Sequence, residues 1–241
     1  MIFLDFDGVL FDTVKEAYSI SVISIKMHNN IDEINYDSEH YNLFRKYRYL
    51  ISPAWNYKYL LEELNNFKDN ETLQQNYLLK IKNTTKNEYE EFEKLFFRTR
   101  KKIKDQEFDK WLHLNQSFDF LYKIKPLLIK YSNLFYIITT KDKETVLKLL
   151  DIENIQFNTT NIYDKEDYSK YGSKKNIITT LVDNKKAIFV DDSLKHIKEC
   201  SLINNLQCLQ PDWGYVSSID NALSETIILN KIKDHIKGNN V

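Results

Sequence analysis

The chain has little of the punctuation that usually marks small secreted or modular proteins: two cysteines, three prolines and four glycines in 241 residues. Cys200 and Cys208 make neither a disulfide framework nor a thiolate metal site, and read as small buried residues in a reducing compartment. Cytoplasmic residence is the expectation that follows. Charge of one sign is lacking too: 34 basic against 35 acidic residues leave a net charge of −1. No global field draws the chain to nucleic acid or to an anionic membrane. No stretch approaches the ~20 consecutive apolar residues of a membrane span. The N-terminus is not expected to be a signal peptide, because acidic residues interrupt its apolar run at the fifth position. No internal repeat or low-complexity linker is evident.

What the chain does have is concentrated first in Met1-Ile-Phe-Leu-Asp5-Phe6-Asp7-Gly8-Val-Leu-Phe-Asp12-Thr13. The apolar run Ile2–Leu4 reads as a buried strand that stops at Asp5 and Asp7. Residues i and i+2 of a strand share a face, so both carboxylates leave its C-terminal end together. Two like charges that close need a cation or a proton between them. Gly8 lets the backbone turn sharply or approach a ligand closely.

From Lys15 to about Gln116 the pattern is helical. Apolar positions recur at helical spacing in Ala17/Ile20/Ile23/Met27 and in Tyr41/Phe44/Tyr47. Further helices are expected over 55–64, 71–82 and 86–111, the last capped from the Asn83–Thr85 segment. After Phe118 strands and helices alternate. Strands are expected at 134–139, 155–157, 187–190 and 206–209, and helices at 143–150, 174–182, 194–202 and about 218–236. Such alternation implies right-handed crossovers and an α/β, doubly wound parallel sheet, which binds ligands beyond the carboxyl ends of its strands. The expected organisation is a core of residues 1–14 and 117–241, with a helical insertion of residues 15–116.

Three further features place chemistry-bearing residues at strand ends or a helix start. Thr139 ends an apolar strand, with Thr140 and Lys141 after it, and its hydroxyl can donate to a phosphate oxygen beside backbone N–H groups. Gly172-Ser-Lys174-Lys175 precedes an apolar helix, and Lys174 fits best by spacing to that helix, with Lys175 the competitor. Ala187-Ile-Phe-Val190-Asp191-Asp192 is a second apolar strand ending in carboxylates, of the kind that suits Mg²⁺.

In this order the four segments resemble motifs I to IV of the haloacid dehalogenase-like hydrolase superfamily, within the phosphoglycolate phosphatase/β-phosphoglucomutase-like group. Motif I stands here as Asp5-Phe-Asp7-Gly8-Val-Leu with Asp12-Thr13 following, and Trp213-Gly214-Tyr215 adds a later likeness. The resemblance covers the core, and for the helical block only its position, that of a C1-type cap. His196 stands where many members carry another Asp. The resemblance implies a Rossmann-like core and a Mg²⁺-dependent phosphatase acting on a small phosphorylated metabolite. Asp5 would be the nucleophile that forms an aspartyl-phosphate, and Asp7 the acid and then base. Thr139, Thr140, Lys174 and the backbone at Phe6 and Gly8 would cradle the phosphate. Asp5, Asp7, Asp192 and, directly or through water, Asp191 would hold Mg²⁺. Asp7 tells against carbon–halogen chemistry, since a halide leaving group needs no proton. Arg45, Lys46, Arg48 and the run Arg98–Lys102 are candidate contacts for an anionic substrate. A phosphomutase of the β-phosphoglucomutase type and a non-catalytic phosphate-binding protein are the alternatives. A monomer or homodimer is expected, with neither nucleic acid nor membrane as partner.

Overall fold

A computed structural model describes residues 1–29, 38–51, 53–183 and 185–238. They form two compact units, one of Met1–Asp12 with Ser117–Val241 and one of Thr13–Gln116.

The first unit is built on a parallel five-stranded sheet in the order β5-β4-β1-β6-β7. Its strands are β1 (Ile2–Leu4), β4 (Phe135–Ile138), β5 (Ile162–Tyr163), β6 (Ala187–Val190) and β7 (Leu206–Leu209). Two short strands, β2 (Phe11–Asp12) and β3 (Gln116–Ser117), lie outside it. β1 is central, paired with β4 through Leu4 and Ile137 and with β6 through Leu4 and Val190. All three residues of β1 are fully buried, which is why the strand is uniformly apolar: helices cover both faces of such a sheet. The order reverses at β1. The chain runs outward through β4 and β5 and returns to the other side for β6 and β7, so the crevice at the switch point lies over the end of β1.

Helices α7 (Asp119–Lys130), α8 (Lys143–Ile152), α9 (Lys165–Tyr171), α10 (Lys174–Val182), α11 (Leu194–Cys200) and α12 (Glu225–Gly238) complete this unit. Side-chain caps fix the starts of α8, α9, α10 and α11. Asp142 accepts from Thr145 N at 2.9 Å, Ser173 from Asn176 N at 3.1 Å and Ser193 from His196 N at 3.5 Å. Each cap satisfies an N–H that the helix itself leaves open. Gly172, at φ +78°, ends α9 in the left-handed region immediately before the cap of α10. Lys174 is thereby fixed as the first residue of α10.

The second unit holds α1 (Val14–Asn29), α2 (Ser38–Tyr47), α3 (Asn56–Leu64), α4 (Asn70–Asn83), α5 (Lys86–Gln106) and α6 (Phe108–His113). Thr85 caps α5 in a reciprocal pair with Glu88. Phe44, Tyr57, Phe92, Phe96 and Trp111 are buried here. So is a charged group: Glu16 accepts from Arg100 Nη2 at 2.9 Å and from Trp111 Nε1 at 3.1 Å. Arg100 is thus committed to Glu16, whereas Arg98, Lys101 and Lys102 are exposed.

Several elements differ from expectation. Residues 155–157 are not a strand. Ile155 N bonds Leu150 O at 2.8 Å and closes the end of α8, while Thr139 N reaches Tyr163 O at 2.9 Å, so 162–163 supplies the edge strand. Ile155 and Phe157 are buried all the same, which explains their strand-like alternation. The helix expected over 86–111 breaks at Glu107, and the last helix begins at Glu225 because Leu223 is bonded to Gln210 and Asp212. Helix α7 has Pro126 in its interior, a residue that reads as a stop.

Cys200 and Cys208 pack in the core cluster beside Phe3, Ile177 and Phe189. Burial raises the Cys200 thiol to about 12 and the Cys208 thiol to about 11. Both groups therefore stay protonated at neutral pH, and alkylation by iodoacetamide at pH 8 is expected to be slow in the native protein and fast in denaturant. In the helical unit, Glu16→Ala strands the Arg100 charge and is expected to lower stability by about 3–5 kcal/mol in urea titration.

Candidate active site

Three strands of the first unit end in polar residues at the switch point. Asp5 follows β1, Thr139 follows β4 and Asp191 follows β6, and each is still tied to the neighbouring strand. Asp5 N donates to Val190 O at 2.9 Å, Thr139 N to Tyr163 O at 2.9 Å and Asp191 N to Leu209 O at 3.3 Å. The backbone is thus rigid up to the residue that carries each functional group.

Lys174 joins two of these ends. Its Nζ lies 2.7 Å from Asp5 Oδ2 and 2.7 Å from Asp191 Oδ2, and its side chain is 1% exposed. A cation at a helix N-terminus opposes the helix dipole, so this ammonium depends on its two carboxylates. Burial opposes the charged form of Lys174, but Asp191 and Asp5 overcome it and hold the group above the ordinary lysine range. Burial likewise opposes ionisation of Asp191, yet Lys174 and then His196 keep that carboxyl well below the ordinary carboxylate range. For Asp5 burial wins: its carboxyl is lifted to about 6 against the pull of Lys174. Asp191 also accepts from Ser193 N at 2.8 Å and faces His196 Nδ1 at 3.1 Å. The Asp5 carboxylate receives its own neighbour's amide, Phe6 N, at 2.7 Å. The Phe6 side chain is buried and stacked on Phe11 at 4.7 Å, so Phe6 has only its backbone to offer the site.

Asp7 is paired differently. Lys141 Nζ lies 3.2 Å from Asp7 Oδ1 and 3.4 Å from Oδ2, and the lysine side chain is buried. Lys141 N donates to Thr139 Oγ1 at 3.1 Å, which places the lysine and the threonine hydroxyl in one turn beyond β4. Thr140 lies between them, half-buried.

Asp192 sits in a cradle of glycine backbone. Gly8 has φ +81°, and a Cβ built on it would fall 2.1 Å from Asp192 Oδ2. A Cβ on Gly214 would fall 2.4 Å from Gly8 O and 2.5 Å from Asp192 Cβ. Tyr215 N donates to Asp192 Oδ2 at 2.7 Å, the Tyr215 hydroxyl to Asp12 Oδ1 at 3.1 Å, and Trp213 Nε1 to Val9 O at 3.1 Å. The 213–215 segment therefore holds both the loop after β1 and the carboxylate after β6.

Asp5, Asp191 and His196 bring ligand-type atoms within 4.8 Å of one another. The Lys174 ammonium already bridges the two carboxylates of that trio, and a dication placed there would meet it. Asp5 at the end of β1 and Asp192, with the Gly8 backbone drawn against its carboxylate, are the candidate ligands. They offer oxygen donors of the kind Mg²⁺ prefers, in a space that only glycine leaves open.

The expected residues thus fall into three adjoining groups: Asp5, Lys174 and Asp191; Asp7 with Thr139 and Thr140; and Asp192 with Gly8. The helix start selects Lys174 over Lys175, which is half-buried one position on. Lys141 and His196 were not among the expected site residues. Lys141 followed the strand-end threonines and could have been found there, while His196 was visible only as a departure from the motif.

Gly8→Ala combines left-handed strain with overlap of Asp192, whereas Gly172→Ala meets nothing within 4 Å. The Gly172 change is expected to lower stability by only about 1–2 kcal/mol, the ordinary penalty of that backbone region. The Gly8 change should lower it further in the same urea titration.

Neither a protein-family model nor a curated protein matches the sequence. Solved structures do match the fold. A haloacid dehalogenase-like hydrolase from Streptococcus pneumoniae is 17% identical with a TM-score of 0.62, over 96% of this chain and 97% of that one. A "predicted phosphoglycolate phosphatase" from Haemophilus somnus is 13% identical with a TM-score of 0.60, over 96% and 97%. A "predicted phosphatase" from Clostridium acetobutylicum is 16% identical with a TM-score of 0.58, over 97% of each chain. The protein has the fold of the haloacid dehalogenase-like hydrolases over nearly its whole length.

Proposed function

We propose that the protein is a Mg²⁺-dependent phosphatase that hydrolyses a small phosphorylated metabolite through an aspartyl-phosphate on Asp5. The observation that carries this reading is the Asp5 carboxylate at the end of the central strand, with Lys174 2.7 Å away and Asp7 two residues on. The fold's likeness to phosphatases supports it.

In this scheme an Asp5 oxygen attacks phosphorus in line with the departing alkoxide, forming the Asp5–phosphorus bond as the ester bond breaks. Asp7 gives its proton to that alkoxide and then takes one from the water that cleaves the acyl phosphate. Lys174 remains beside Asp5, and with the Thr139 hydroxyl and the amides of the loop after β1 it meets the equatorial oxygens, so the work is positioning and charge stabilisation. Mg²⁺ held by Asp5, the Asp7 carbonyl and Asp192 would supply positive charge against the nucleophile and the transferring group. The helical unit enters the chain directly after the loop that carries Asp5 and Asp7, and we assign it the role of a cap that excludes water and selects the substrate.

Among the described residues no helix is long and apolar enough to cross a membrane. The test is phosphate release from an aryl phosphate with and without Mg²⁺, with Asp5→Asn as control. Steady metal-dependent release, abolished in the variant, is the expected result. A single burst of phosphate without turnover would favour phosphoryl transfer to a second hydroxyl. No release from folded protein would favour a binding role.

A further inference from the structure

His196 is a buried side chain that the scheme above leaves without a task. Its ring lies at the first turn of α11, 6% exposed, with Nδ1 3.1 Å from Asp191 Oδ2 and 3.3 Å from Oδ1. The opposite nitrogen, Nε2, is buried without a hydrogen-bond partner among the described residues. The Tyr168 ring of α9 packs beside it, centroid to centroid 6.4 Å. An unsatisfied nitrogen in a buried ring costs stability, so the contact made by the other nitrogen is the one to follow.

That contact can be followed to the reacting atom. Asp191 is paired to a buried ammonium and can only accept, so the nitrogen facing it is the one that carries hydrogen. Asp191 Oδ1 accepts from Ser193 N at 2.8 Å, and Oδ2 accepts from Lys174. The imidazole closes the remaining side of the carboxylate and stops it rotating about its last bond. Rotation would draw Oδ2 away from Lys174, and the ammonium is shared 2.7 Å to either side between Asp191 and Asp5. A chain of contacts therefore runs from His196 to Asp191, to Lys174, to Asp5. We propose that His196 is a positioning residue, whose Nδ1–H orients Asp191 so that Lys174 stays centred on the Asp5 nucleophile. It touches no substrate. Outer-shell groups of this sort act by fixing the orientation of the groups that do.

The turnover arm of the test rests on the phosphatase reading, and a second arm does not. With an aryl phosphate and Mg²⁺, His196→Leu is expected to lower kcat by about 10- to 100-fold, the usual effect of losing an outer-shell orienting bond. KM should stay within about threefold, since misplacing the nucleophile affects chemistry rather than ground-state binding. His196→Asn, whose amide can donate from nearly the Nδ1 position, should recover most of the loss. Equal kcat in His196→Leu and wild type, or an Asn variant as slow as Leu in folded protein, would overturn the proposal. The second arm is nitrogen NMR of the imidazole ring in wild-type protein. A hydrogen on Nδ1, with its resonance displaced in Asp191→Asn, is expected. A ring protonated on Nε2 with Nδ1 bare would overturn the proposal whether or not the protein turns over phosphate esters.

Discussion

The site depends on one buried ammonium. Lys174 lies between the carboxylates that end β1 and β6, 2.7 Å from each, and it neutralises charges that burial would otherwise make intolerable. Asp5 shows how close the balance is: buried beside Asp191, its carboxyl sits at about 6 even with Lys174 against it. Remove the cation and two carboxylates face each other in a site without solvent. The sheet supplies the framework that makes such a placement possible, because Asp5 and Asp191 are still in the hydrogen-bond ladder when their side chains reach the crevice.

The rest of the core brings partners to those strand ends by local devices. Gly172 and Ser173 stop one helix and start the next, which puts Lys174 at the first position of α10. Ser193 starts α11 so that its first turn returns His196 to Asp191. The two glycines at 8 and 214 remove the side chains that would otherwise occupy the space of Asp192. Each device is small, but together they set Lys174, His196 and Asp192 at the strand ends.

Much of this was legible in the sequence for a physical reason: apolar runs that end abruptly in Asp or Thr are what buried parallel strands with a polar crevice look like. Asp5, Asp7, Thr139, Asp191 and Asp192 are of that kind. Spacing to the following apolar helix favours Lys174 and leaves Lys175 as a competitor, and it is the Ser173 cap that decides between them. In a chain with 34 basic residues a buried lysine has no mark of its own, and only the position of Lys141 after the strand-end threonines sets it apart. The displaced edge strand is a similar case. Ile155 and Phe157 alternate because they are buried, while the backbone that pairs with β4 lies a few residues later. Helix α7 was hidden by Pro126. In the helical unit the cap of α5 was readable in Thr85, whereas the pairing of Arg100 with Glu16 spans 84 residues and leaves no local pattern.

The most direct measurement is the urea unfolding free energy of Lys174→Met beside Lys175→Met, in metal-free protein without substrate. Removing one partner of a buried charge cluster should lower stability by about 3–5 kcal/mol at position 174. The change at position 175, half-buried but outside the charge cluster, should fall within about 0.5 kcal/mol of wild type. Equal stability of the Lys174 variant and wild type, or a larger loss at 175 than at 174, would contradict an ammonium that holds the ends of β1 and β6 together.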